Sequence, residues 1–361
     1  MTSPNGRPSR TVECTGAWEL LELLKDGTPR TRTDIALELN IARSTLTSRL
    51  DALTAARLIV PGRTAASGGG RPPATFVFNP GARLSLAAHI SPALIRMAVI
   101  DLGGTVQLFR CLQGGLKQTP QETLAAVLRA GSEMMISIGQ RPEDLAAIGI
   151  GLSASVDRSG RVLRSRLMPV WTGFDVSGFI RESIAVPVVV ESTINLQAIH
   201  ERMSRWPGHA DLLYVHLGCC PTTAFFSGGQ LQRGSTGAAG ILSPSERDRQ
   251  TSCRCGSPTP LITTGTPDTA SAREVGRRLG TALTAAVNLL NPSVIVVGGQ
   301  LHEPEYVLAG IRECIFNYCP PIATTSLSIS LAEGAENAVF RGLGSLITDR
   351  LLAKEAAGSL L

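Results

Sequence analysis

Residues 31–59, TRTDIALELNIARSTLTSRLDALTAARLI, read as two short helices joined by a tight turn. Ile35, Ala36 and Leu39 fall on one helical face, and Asn40-Ile41-Ala42 supplies the turn. Leu46, Leu50 and Leu53 then recur at i, i+4 and i+7, the stripe of a helix packed on a core. The other face of that second helix offers Arg43, Ser44, Thr45, Thr47, Ser48 and Arg49. Cations and short hydroxyls on the leading turns suit phosphate oxygens and base edges in a major groove. A solvated helical hairpin would carry the same pattern. A DNA-binding helix-turn-helix also requires a helix before it and something basic after it.

Both are present. Ala17 to Lys25 makes a leading amphipathic helix, ended by Asp26-Gly27 and Thr28-Pro29. After the second helix, Leu58-Ile59-Val60 and Thr75-Phe76-Val77-Phe78 read as two strands around a Gly- and Pro-rich loop, the wing. Gly68-Gly69-Gly70 would let that loop pass close to a duplex, and Arg71, held by the two prolines after it, could enter a minor groove. Residues 42–71 hold five arginines (43, 49, 57, 63, 71) against one acid, Asp51, a local charge of 5 − 1 = +4. On this reading Arg49 reads a base and Arg71 contributes sequence-independent affinity.

The 361 residues carry a net charge of only +5, so nucleic-acid binding must come from this local patch and not from a polycationic chain. The composition, 43% hydrophobic and 17% charged, is globular and long enough for two or three domains. Eight cysteines with no secretory leader point to a reduced, cytoplasmic protein. No stretch is apolar enough for a membrane span. Residues 1–14 read as a disordered tail and 15–80 as the winged head.

Past Asn79-Pro80-Gly81 the chain alternates strand-like apolar runs with helical stretches, an α/β pattern. Strands are expected at 84–90, 94–100, 106–112, 147–152, 186–190, 212–217 and 294–297. Helices are expected at 121–138, 176–184, 193–204, 272–290, 306–316 and 339–356. Three strands, a helix, a strand and a helix follow one another near residue 84, and more weakly near residue 212. That is the duplicated plan of actin-like ATPase lobes, a ribonuclease H-like fold.

GLSASVDRSGRVLRSRLMPVW, PVVVESTINLQAIHE, LQRGSTGAAG, CRCG and NPSVIVVGGQL follow one another in the order and spacing of the ROK family of repressors, open reading frames and sugar kinases. The chain resembles its transcriptional-regulator branch, which carries an N-terminal winged helix-turn-helix. The resemblance spans roughly residues 16–355. It implies a two-lobed sugar-kinase-like body over 84–355, with lobe 1 at about 84–195 plus the C-terminal helix and lobe 2 at about 196–335.

The chemistry implied for the kinases is not carried by these residues. Asp101-Leu102-Gly103-Gly104-Thr105 is similar to the DxGGT turn that holds metal and phosphate, but it follows the second strand of three instead of the first. The turn after the first strand, His89-Ile90-Ser91-Pro92, lacks both acid and glycine. The second phosphate loop, similar to GTGxGxG in the family, reads Gly218-Cys219-Cys220-Pro221-Thr222-Thr223. The family's E-N-D-x-N becomes Glu191-Ser192-Thr193-Ile194-Asn195, so Thr193 stands where the catalytic base would be. An alcohol cannot take the sugar's proton near neutral pH. No catalytic residue and no cofactor are assigned.

The family's zinc motif is reduced to Cys253 and Cys255, with Pro260 at the third cysteine position and Gly240-Ile241-Leu242-Ser243-Pro244 in place of GEIGH. Two ligands fall short of the four a structural zinc needs, so no metal is assigned. Leu167 and Ile262 stand where the family's remaining sugar contacts are expected. Ser153, Glu191, Ser192, Thr193, Asn195 and Ile241 are the candidates for an effector pocket. The effector would be sugar-derived or less polar, or absent altogether.

The expectation is therefore a repressor that binds an operator in double-stranded DNA as a dimer or tetramer. Two other readings stay open: a bifunctional sugar kinase with a DNA-binding head, and a regulator that binds a partner without an effector.

Overall fold

The computed structural model describes residues 17–62, 74–113, 119–163, 165, 167–218, 221–242, 269–299, 301, 303–334 and 336–353. The tail at 1–14, Arg71 and the Cys253/Cys255 loop lie outside them.

The head begins with α1 (Ala17–Leu24), whose Ala17, Leu20, Leu21 and Leu24 are buried. After the short strand β1 (Arg30–Thr31) comes α2 (Arg32–Leu39), opened by a capping box between Thr31 and Asp34. It is closed by Asn40 in the left-handed region at φ 50°, a conformation Asn tolerates better than most residues. Helix α3 (Arg43–Ala55) buries Leu46, Leu50 and Leu53. Each contributes about 2–3 kcal/mol of transfer free energy as an upper bound. β2 (Ile59–Pro61) and β3 (Thr75–Phe78) complete a three-stranded sheet of order β1-β3-β2.

The body contains one topology twice. In lobe 1, β4 (Leu84–Ile90), β5 (Leu94–Asp101) and β6 (Val106–Gln113) form an antiparallel meander. Helix α4 (Pro120–Ser137) returns the chain to β7 (Leu145–Leu152), and α5 (Val176–Ser183) to β8 (Val188–Ser192). The sheet order is β6-β5-β4-β7-β8, with β4, β7 and β8 parallel.

Helix α6 (Thr193–Ser204) crosses to lobe 2, where β9 (Leu212–Leu217), β10 (Thr222–Ser227) and β11 (Gln230–Gln232) form the second meander. Then α7 (Thr269–Leu290), β12 (Val294–Gly299), α8 (Pro304–Tyr318), the short α9 (Pro321–Thr324) and β13 (Ser328–Leu331) give the order β11-β10-β9-β12-β13. The C-terminal helix α10 (Ala338–Leu352) returns to lobe 1. Strands β10, β11 and β13 lack a signal long enough to stand out in the sequence, which is why the second repeat reads weakly there.

One apolar cluster runs through head and body. It joins Leu21, Leu24 and Leu50 to Leu102, Phe340, Leu343, Leu351 and Leu352. Lys25 meets Asp349, and Arg83 donates to the Ala56 carbonyl at 3.2 Å. Helix α3 is thereby carried on lobe 1 through α1 and α10.

Candidate functional site: a nucleic-acid face and an interlobe cleft

Helix α3 presents Arg43, Ser44, Thr45, Thr47 and Ser48 to solvent. Its N-cap, Ala42, has no side chain able to cap, so the first amides are open to an anion. Thr47 is partly committed, since its hydroxyl donates to the Arg43 carbonyl at 2.9 Å.

Arg49 is placed differently from the sequence expectation. Its side chain is 14% exposed and pairs with Glu19 of α1 at 3.4 Å. Position 49 lies one residue before Leu50 on the flank of the buried stripe, and α1 packs there. The guanidinium braces the head and does not sit on the outer face.

Arg32 was missed. It stands exposed at the start of α2, its guanidinium 5.5 Å from the centre of the Phe76 ring on β3, with Nη1 3.3 Å from the Thr47 hydroxyl. It thus bridges wing strand and recognition helix. No linear pattern signals this, because Arg32, Thr47 and Phe76 meet only in the folded head. Its neighbour Arg30 is structural, chelating Asp26 at 2.7 and 2.8 Å and bonding Glu38 and the Leu23 carbonyl. The hydrogen bonds to Arg30 hold the Asp26 carboxyl at about 2.

In the body, the DLGGT segment is the β5–β6 hairpin turn. Thr105 N donates to Asp101 Oδ1 at 2.8 Å, and Gly104 N to the Asp101 carbonyl at 3.0 Å, so the acid closes its own turn. Gly104 adopts φ +72°, and a Cβ there would lie 2.9 Å from Arg341 Cα. The glycine admits α10, and Thr348 of α10 donates to the Leu102 carbonyl. The first-strand turn, at the phosphate position, is closed by Ser91 bonding Leu94, with no acid or glycine.

All the pocket candidates except Ile241 gather at the C-terminal end of lobe 1's parallel strands. Glu191 is 4% exposed. Its Oε1 accepts from Ser192 N and Asn195 Nδ2 at 2.8 Å each, while Oε2 accepts Arg233 Nε at 2.8 Å. Arg233 follows β11, so this pair crosses the lobes. Ser192 caps α6 through Asn195 N. Glu191, Ser192 and Asn195 thus spend much of their polar capacity on one another and on Arg233. Ser153 lies at the end of β7, with its amide on the Ile90 carbonyl at 3.1 Å. Ile241 bridges to Thr222 in lobe 2 and is 63% exposed, which sets it outside any enclosed pocket wall. Leu167 is 40% exposed.

Among the described residues, the enclosed polar atoms without a hydrogen-bond partner include Thr193 Oγ1, Gln197 Oε1, His89 Nε2 and His216 Nδ1. Thr193 and Gln197 share a face of α6 at i, i+4. His89 pairs in register with Gly151, which pairs with Glu191, so His89 and Glu191 face the same way. Burial, and then the Arg96 guanidinium, hold the His89 imidazole down to about 4. Burial lowers His216 as well. An enclosed, unpaired polar atom costs about 1–3 kcal/mol, so such atoms mark a place for water or ligand. Among the described residues no group of three or more His, Cys, Asp and Glu could hold a metal, and no helix is long and apolar enough to cross a membrane.

The ROK family profile matches residues 93–261 and 260–350. The chain belongs to the ROK family. A xylose repressor of Bacillus spizizenii is 23% identical over an alignment covering 92% of this chain and 94% of the repressor. The xylose repressor of Bacillus subtilis strain 168 is 22% identical with the same coverage. Among solved structures, a ROK family transcriptional regulator described as a homologue of the E. coli MLC protein superposes with a TM-score of 0.80, at 19% identity, over 97% of this chain and 99% of its own. A ROK glucokinase from Streptomyces griseus, in complex with glucose and AMPPNP, superposes with a TM-score of 0.57, at 21% identity, over 73% of this chain and 98% of its own. The glucokinase thus aligns with about three-quarters of the chain, whereas the regulator also aligns with the remainder.

Proposed function

We propose that this ROK protein is a sequence-specific DNA-binding transcriptional regulator that acts as a repressor in the cytoplasm, and that its kinase-like body performs no phosphoryl transfer. The observation that carries the reading is the outer face of α3, with Arg43, Ser44 and Thr45 exposed on an uncapped helix start beside a three-stranded wing sheet. A helix so presented fits a major groove, its amides and arginine on phosphate and its hydroxyls on base edges. Two heads in a dimer would meet half-sites about one helical turn apart.

The body supplies dimerisation and effector sensing. Thr193 and the Ser91 turn stand at the base and phosphate positions, and neither has the group phosphoryl transfer needs. The interlobe cleft takes the effector, whose polar groups satisfy Thr193, Gln197, His89 and His216. Xylose, named in the relatives, is the first effector to test. A ligand bound more tightly by one lobe arrangement shifts the population toward it and moves the heads that lobe 1 carries.

The test is a gel shift of the full chain on the DNA upstream of its own gene, with and without a panel of pentoses and hexoses, alongside an ATP-turnover assay with the same panel. Specific retardation without turnover supports the reading. Turnover with any sugar, or equal affinity for unrelated DNA, overturns it.

A further inference from the structure

Lobe 2 ends in an edge strand, β13, beside an open surface groove of about 450 Å³. Its lining includes Arg205, Glu305, Leu308, Arg312, Ser330 and Glu333. Ser328 N bonds the Ser293 carbonyl and Ala332 N the Val297 carbonyl, so alternate residues of β13 turn their backbone groups toward β12. The amides and carbonyls of Ile329 and Leu331 therefore face outward, their carbonyls about 7 Å apart along the strand.

Both outward carbonyls are occupied by arginine. Arg312 Nη2 donates to Ile329 O at 2.6 Å, and Arg205 Nη1 to Leu331 O at 2.8 Å. This blocks pairing by another strand, and it brings both guanidinium groups to the groove beside that edge. Each has five N–H donors and spends one on the edge. Arg205 approaches Glu201 only at 3.9 Å, and among the described residues Arg312 has no carboxylate within salt-bridge distance, although Glu305 and Glu333 line the same groove. The Ser330 hydroxyl, also in the lining, is enclosed and has no partner. Arg205, which also lies 5.7 Å over the Trp206 ring, is only loosely paired with Glu201, so the two guanidiniums and the unpaired hydroxyl keep donors free for an outside oxyanion.

We infer that this groove binds a small organic anion through a carboxylate or phosphate group held between Arg205 and Arg312. The site is separate from the interlobe cleft and does not depend on the regulator reading. Its position gives it leverage over the lobes. Glu333 begins the connection from β13 back to α10, and its amide donates to Glu201 of α6 at 2.7 Å. The two chain crossings between the lobes are joined there, next to Arg205.

The experiment is isothermal titration calorimetry of the full chain with sodium phosphate and with sodium succinate, at ionic strength matched with sodium chloride. Saturable binding of either oxyanion is expected, and which one binds assigns the head group. Arg312→Gln should weaken it by at least about tenfold, the loss of one charge-assisted contact, and Arg312→Lys should restore part. Glu305→Gln, which removes a repelling acid, should tighten it severalfold, a gain that misfolding cannot produce. Arg141→Gln, in the exposed Arg141–Asp144 pair of lobe 1, should leave it unchanged. Absence of saturable binding by both probes, or wild-type affinity in Arg312→Gln, overturns the inference. Operator retardation in the same samples reports separately on the proposed function.

Discussion

Arg233 reaches from lobe 2 into lobe 1 and places Nε and Nη2 each 2.8 Å from Oε2 of the buried Glu191. This is a charge-assisted contact across the cleft, and its acid also organises the start of α6. Removing the arginine leaves a buried carboxylate with only Ser192 N and Asn195. Arg233→Ala should therefore lower stability by about 2 kcal/mol. The double variant with Glu191→Gln should cost less than the sum of the two, as read by thermal unfolding. Additive losses would mean that the pair is not coupled.

Arg32→Ala should weaken binding to operator and to unrelated DNA alike, and reduce the salt slope of log K by about 1, the signature of a lost phosphate contact. Filter binding at several salt concentrations checks this. Thr45→Ala, by contrast, should lower the ratio between operator and unrelated DNA, because the α3 hydroxyls are the groups placed on base edges.

Arg49→Ala should act on the head's stability before it acts on base discrimination. Its pairing with Glu19 is partly exposed, so the cost should be no more than about 1 kcal/mol. Unchanged operator preference in a selection from randomised DNA, with a lowered melting temperature, is the expected result. Loss of preference at one base position would restore Arg49 as a reader.

The His89 imidazole, held at about 4 in the folded chain against 6.5 unfolded, stays neutral while the unfolded chain takes up a proton. The stability tied to this difference is fully present above pH 6.5. It is lost progressively as pH falls toward 4, by up to about 3 kcal/mol. His89→Gln should flatten the fall of melting temperature over that window. Part of the slope will remain, because burial also lowers His200 and His216. An unaltered pH profile would remove His89 from the account.

Much of the fold was legible because its signals are local. The 3.6-residue leucine stripe of α3 and the long buried strands of lobe 1 depend on neighbours a few positions away. The displaced DLGGT was also legible, since strand order decides which turn can cradle a phosphate. Lobe 2 was less so. β11 has three residues and β13 four, too short for periodicity to separate them from loop.

The sequence by itself determined which groups are available: hydroxyls and arginines on one helical face, and Thr193 where a base would have to be. These are matters of residue chemistry and spacing. Only the tertiary structure decided what each polar group is spent on. Arg49 pairs with Glu19, Arg32 lies over Phe76, and Arg233 crosses to Glu191. The physical reason is that a charged side chain's role depends on whichever partner and degree of burial the fold brings to it, and those partners lie 30, 44 and 42 residues away in sequence.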